Sequence, residues 1–315
     1  MLQIITIVAP LFGMIGLGFL AIKTGYISRD TGKYLAEFAV KLAMPALLFR
    51  AMLSIGDMPG SPILLVAAYF AACACVWILA SLSTWALLRR PQTDAASIAM
   101  GSTFSNSVML GVPLALSAFG PESAAPAALL ISLDTPLLWI AATLHLEAFR
   151  QDREGSAMKA IGGIVLSLLK NPIVMALIAG SACRLAGITT LPPLLDKSME
   201  LLANAAVPAM LVALGMSIAT YKIAGQTGTL SLILILKIVA FPVFAYIFSV
   251  HVFELPPIWS AVVILFAAMP VGANAYLFAA KYNAAVGSVS TSIAITTAVA
   301  VLTVSGLLFW LKTTI

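Results

Sequence analysis

Asp134 carries the plainest chemical capacity in this chain. It stands in Ser132-Leu133-Asp134-Thr135-Pro136, inside an apolar run over residues 124–148. A carboxyl about 10 residues into a helical span lies roughly 15 Å from the end of that span. Ionisable groups at such depth are costly and are functional candidates by default. Two roles suit it: a seat for a coupling cation or proton, or an acceptor for a backbone amide freed near Pro136. Two asparagines form the second group. Asn106 stands in Ser105-Asn106-Ser107-Val108-Met109-Leu110-Gly111-Val112-Pro113-Leu114, and Asn274 closes Met269-Pro270-Val271-Gly272-Ala273-Asn274. Pro removes an amide donor and Gly loosens a helix, so both spans should be broken helices. A side-chain amide both donates and accepts, which suits a carboxylate, a carbonyl or an ion. The freed amides and positive end of a half-helix add affinity for anions. The alternative is that each Asn satisfies only its own broken backbone. Paired breaks of this kind mark a transporter's substrate site near the membrane midplane. The substrate-binding candidates are therefore Asn106, Ser107, Gly111, Pro113, Pro270, Gly272 and Asn274.

Other charged residues within spans carry weaker signals. Glu37 and Lys41 stand four apart and share a helix face, as a structural pair or, through Lys41, an attraction for an anionic substrate. Lys237 and Arg50 are expected to snorkel, Lys237 to the cytoplasmic surface and Arg50 to the outer one. The three cysteines, Cys73, Cys75 and Cys183, lie in apolar spans and read as packing residues. His145 and His251 have no metal-ligand spacing, and no metal site is expected. Zinc-protease, serine-hydrolase and phosphate-loop motifs are absent from the sequence, which argues against an enzyme and against ATP-driven pumping.

The elements that must hold these residues follow from composition. Of 315 residues 62% are hydrophobic and 9% charged, and the mean hydropathy is +1.07. Soluble domains carry about a quarter charged residues; this chain is an integral membrane protein. At about 20 apolar residues per crossing, ten spans are predicted: 3–22, 34–55, 62–88, 95–119, 124–148, 161–185, 195–219, 228–250, 257–280 and 285–311. Trp85, Trp259, Trp310, Tyr26 and Tyr282 fall near span ends, as an interfacial belt would. The N-terminus has neither the basic region nor the cleavage site of a signal peptide.

The net charge of +5 reports topology rather than nucleic-acid binding. Odd-numbered loops hold Lys23, Arg29, Lys33, Arg89, Arg90, Arg150, Arg153, Lys159, Lys222 and Lys281, whereas even-numbered loops hold Arg184 and Lys197. The positive-inside rule puts the odd loops in the cytoplasm and both termini outside. The chain also repeats. Residues 36–55 shifted by 163 match 199–218 at seven positions, among them Glu37/Glu200, Pro45/Pro208 and Ser54/Ser217. A shift of 162 pairs Pro10/Pro172, Gly18/Gly180 and Gly25/Gly187. Five spans make one unit, so the second copy must be inverted, an architecture common among secondary transporters.

The segment 106–114, together with Ala268–Asn283, Lys170-Asn171-Pro172 and Ser198–Ser217, resembles the auxin efflux carrier family over nearly the whole chain. The long hydrophilic loop of many plant members is absent. This resemblance implies an all-α, ten-helix fold of the bile-acid-symporter and sodium/proton-antiporter type, in which the broken fourth and ninth helices cross. It implies scaffold segments 1–60 and 161–222, transport segments 61–150 and 223–315, and a cytoplasmic linker at 151–160. It further implies a homodimer through the scaffold in the lipid bilayer of the cytoplasmic (inner) membrane, and a small organic anion as substrate. Two positions depart from the plant pattern: Ala275 stands where a ninth-helix proline is expected, and Asp134 where an uncharged polar residue is. The resulting expectation is a secondary carrier or uniporter for a small organic anion such as a mono- or dicarboxylate, working by elevator-like alternating access. No cofactor is expected beyond a coupling H+ or Na+ at Asp134. The rival readings are a sodium/proton antiporter of the same fold, a channel and a membrane sensor.

Overall fold

A computed structural model describes residues 2–54, 59–149, 170–220 and 225–314. The expected linker at 151–160 and the start of the sixth span lie outside the described residues. Among the described residues twelve helical segments follow one another: α1 (Leu2–Lys23), α2 (31–54), α3 (Pro62–Ala86), α4 (Gln92–Thr103), α5 (Ser107–Phe119), α6 (Pro121–Phe149), α7 (Pro172–Leu185), α8 (Pro193–Ile218), α9 (Thr227–Val252), α10 (Pro257–Ala268), α11 (Ala273–Tyr282) and α12 (Val286–Thr314). Of these α3, α6, α8, α9 and α12 are long and apolar enough to cross a membrane. Among the described residues the extended pairing is confined to one antiparallel bridge, Ser105 to Val271.

Proline sets both starts and irregularities. Pro62, Pro172, Pro193 and Pro257 open their helices, where a missing amide costs nothing. Asn171 caps α7 by accepting a bond from the Ile173 amide at 2.9 Å. Among the described residues three helices widen into π turns, at Ala39–Ala43, Ser107–Gly111, Leu236–Ala240 and, at the end of α9, Ile247–Val252. The first three end two residues before a proline: Pro45, Pro113 and Pro242. The ring cannot donate, and it crowds the carbonyl of the preceding turn, which opens rather than breaks the ladder.

The described chain divides into two compact units. The first takes in the described residues of Met1–Pro59, Val108–Ser132 and Ser167–Thr220, and its contacts are made by glycines. A Cβ on Gly18 of α1 would lie 2.1 Å from the Val212 carbonyl oxygen of α8. A Cβ on Gly180 of α7 would lie 2.9 Å from the Phe49 oxygen of α2. Gly180 is the repeat mate of Gly18, at a shift of 162, and Val212 that of Phe49, at 163. One contact therefore recurs with its partners exchanged between the copies. Gly25 and Gly187, also mates, both turn the chain after their helix with φ of 74° and 79°, the left-handed region that glycine enters freely. Arg50 does not snorkel freely; its guanidinium pairs with Asp196 at 3.2 Å.

The second unit takes in the described residues of Gly60–Ser107, Leu133–Leu166 and Tyr221–Ile315. Its core is apolar and tightly filled around α10, where residues from Trp259 to Ala267 are buried. Trp259 is buried rather than interfacial and lies against Gly60. Through this core pass two extended interruptions, between α4 and α5 and between α10 and α11.

Candidate functional site

The two interruptions are paired with each other. The Asn106 amide donates to the Pro270 oxygen at 2.8 Å, and the Gly272 amide donates to the Phe104 oxygen at 3.0 Å. The Val271 amide donates to the Thr296 hydroxyl of α12 at 3.0 Å. Backbone that leaves a helix inside an apolar core must find partners, and here each break supplies them to the other. Gly272 is required for this approach, since a Cβ there would lie 2.7 Å from the Phe104 ring and 2.8 Å from the Ser105 oxygen.

Around the paired breaks stand most of the residues singled out by the sequence. Asn106 is half-buried and Pro270 and Gly272 are buried. Ser107 is buried at the first turn of α5, and its hydroxyl has no hydrogen-bond partner among the described residues. The Asn274 amide nitrogen donates to the Thr135 hydroxyl at 3.4 Å, which ties the start of α11 to the residue beside Asp134. Asp134 itself is 4% exposed and accepts a hydrogen bond from the Tyr69 hydroxyl of α3 at 3.2 Å. This donor is a side chain, not the amide freed by Pro136. Gly111 and Pro113 are buried too, but they are grouped with the first unit. Glu37 and Lys41 also belong to that unit and are exposed, bonded to each other across one helical turn.

Lys237 departs from expectation. Instead of snorkelling to the surface it is 1% exposed. Its ammonium donates to the Thr103 carbonyl at 3.4 Å and to the Ser105 hydroxyl, and it stands 4.6 Å from the centroid of the Phe241 ring. Thr103 is the last residue of α4 and Ser105 lies in the break. Two buried polar pairs, Lys237–Ser105 and Tyr69–Asp134, thus draw on four segments inside one unit. Tyr69 had no sequence signal beyond being a polar group in an apolar run, whereas Ser105 opens the stretch whose Gly and Pro marked the first break. The depth of Lys237 was the available clue, because it lies ten residues past Thr227, where α9 begins.

Paired half-helices, a buried carboxyl, a buried ammonium and an unpartnered hydroxyl in an apolar helical core suit the passage of a polar solute. The comparisons agree. The sequence profile of the family described as "Membrane transport protein", whose members are auxin efflux carrier-like, matches residues 3–308. A Rhizobium meliloti (strain 1021) protein named "Putative malonate transporter" is 27% identical over 317 aligned positions, covering 99% of this chain and 97% of its own. A family match of that extent, over a helical chain with five membrane-length spans, makes this a multi-pass membrane protein that belongs to the auxin efflux carrier-like family of transporters.

Proposed function

We propose that the chain is a secondary carrier that moves a small organic anion, a mono- or dicarboxylate, across the cytoplasmic membrane by elevator-like alternating access. The observation that carries this reading is the Ser107 hydroxyl. It is buried, unpartnered and set at the N-terminal turn of a half-helix, where freed amides and the helix dipole favour an anion. A buried polar group without a partner costs about 1–3 kcal/mol, a cost that a bound carboxylate would offset. Asn106, Pro270, Gly272 and Asn274 complete the site in the second unit, and Gly111 and Pro113 shape α5 beyond it. The relative named for malonate supplies the first candidate substrate.

Asp134 is the coupling group in this reading. It is buried among apolar helices with a neutral donor on one oxygen, so a proton can be carried there with little rearrangement. The exchanged glycine contacts support two inverted five-helix repeats, and the charge asymmetry of the loops supports termini on the outside. Scaffold segments 1–60 and 161–222, transport segments 61–150 and 223–315, and a homodimer through the scaffold complete the proposal.

Uptake of labelled malonate, malate and indole acetate into proteoliposomes, with pH and Na+ gradients imposed separately, tests it. Saturable flux of one acid is expected, reduced at least tenfold in Asn106→Ala, with Asp134→Asn abolishing the dependence on a pH gradient. Exchange of Na+ for H+ with no movement of any acid would replace this reading by an antiporter. Flux that neither saturates nor shows counterflow would make the protein a channel.

A further inference from the structure

The ammonium of Lys237 sits where a transporter of this general build would hold a cation. In discontinuous transport helices, unwound carbonyls and the negative C-terminal ends of half-helices coordinate the coupling ion. Here the C-terminal carbonyl of α4, Thr103, and the hydroxyl of Ser105 in the break face Lys237 Nζ, and a Phe241 ring covers a further side. A carbonyl, a hydroxyl and a π face are the partners a small cation would otherwise take. Lysine is 1% exposed at this point, and no carboxylate of the described residues lies within ion-pair distance of it. Its charge is instead stabilised by the carbonyl at the C-terminal end of α4 and by the Ser105 hydroxyl.

We infer that Lys237 is a tethered cation occupying the monovalent-cation seat of the crossover, so that this protein binds and uses no sodium there. The inference rests on the carrier reading for what the seat would do, but the seat itself is a binding site that can be assayed without transport. Removing the ammonium should expose it. In Lys237→Ala the Thr103 carbonyl, the Ser105 hydroxyl and the ring would face a cavity of the size left by a lysine stem. A small cation or amine can enter such a cavity from solution.

The experiment is thermal unfolding of the purified full-length protein in detergent, with Na+, K+ or methylammonium titrated against choline at constant ionic strength. Wild type should show the same Tm in Na+ and in choline. Lys237→Ala should melt lower, and Na+ or methylammonium should raise its Tm saturably by several degrees. Lys237→Met, which fills the cavity with an apolar stem, should lose stability without any such recovery. Equal responses of Lys237→Ala and wild type to every cation would overturn the inference. So would a saturable Na+ stabilisation of wild type, a result that stands even if neither variant folds. Should no organic acid be transported while Lys237→Ala still gains a cation site, the tethered-cation inference survives and the carrier reading falls.

Discussion

Tyr69 is a donor to the buried Asp134 carboxyl, and its hydroxyl is the atom whose loss is easiest to interpret. The side chain is fully buried, and its ring packs on Phe70 and Phe241 at 5.3 and 5.7 Å between centroids. Tyr69→Phe preserves that packing and removes a single donor. The Asp134 oxygen is then left without its partner, at a cost of about 1–3 kcal/mol. Melting curves should therefore show Tyr69→Phe less stable than wild type. In the double variant with Asp134→Asn the two losses should add up to less than their sum, by about 0.5–3 kcal/mol; strict additivity would show that the bond carries no energy. This group of residues was half legible from sequence. Asp134, Asn106 and Asn274 stand out because polar groups are rare in apolar runs and expensive there. Tyr69 does not, because tyrosine is amphipathic and reads equally well as an interfacial residue. Lys237 was misplaced for a geometric reason. Its stem can snorkel only from the last turns of a helix, and ten residues from Thr227 is roughly 15 Å of rise.

Helix boundaries were the most readable level, since a membrane imposes length and proline imposes starts and irregularities. What spacing alone could not show is how the helices meet. Gly13, Gly16 and Gly18 lie on one helix, α1, and the sequence does not rank them. Packing does. Gly13 and Gly16 have open space where a Cβ would stand, whereas at Gly18 a Cβ would meet the Val212 backbone at 2.1 Å. A backbone carbonyl cannot turn aside as a side chain can, so Gly18→Ala must part α1 from α8. Overpacking of this kind typically costs about 1–3 kcal/mol, and the close backbone contact puts Gly18→Ala at the upper end. Gly16→Ala should be neutral or slightly stabilising, because alanine favours helix over glycine by about 1 kcal/mol. Thermal unfolding of the two variants side by side checks this, and equal melting temperatures would mean that α1 and α8 do not approach as closely as the glycine contact requires. Gly180→Ala repeats the test on the exchanged pair, α7 against α2, where the same loss is expected if the two copies pack by one rule.

For the whole molecule, orientation in the bilayer is the property on which sequence speaks most directly and packing is silent. The excess of Lys and Arg in odd-numbered loops acts during insertion, through the cost of carrying cations across and their attraction to the anionic inner surface. Arg29 lies in an odd loop and Thr190 in an even one, and both are exposed. With Cys73, Cys75 and Cys183 replaced by serine, a cysteine introduced at Thr190 should react with a membrane-impermeant maleimide in intact cells. One introduced at Arg29 should react only after the membrane is opened. The reverse pattern would put the termini inside and exchange the two faces of the crossover. The direction matters for mechanism as well as topology. With the termini outside, α4 runs from the cytoplasmic loop that holds Arg89 and Arg90 towards the break, so its negative end and the Lys237 ammonium that caps it point outward from the cytoplasm. An anion entering from inside would then meet a fixed cation before it reaches the Ser107 hydroxyl, which starts α5 on the outer side of the break, and one entering from outside would not. Lys237→Met should for that reason weaken half-saturation for malonate more on the inner side of oriented vesicles than on the outer side. Equal weakening on both sides would show that the ammonium acts on the fold of the crossover rather than on the path of the substrate.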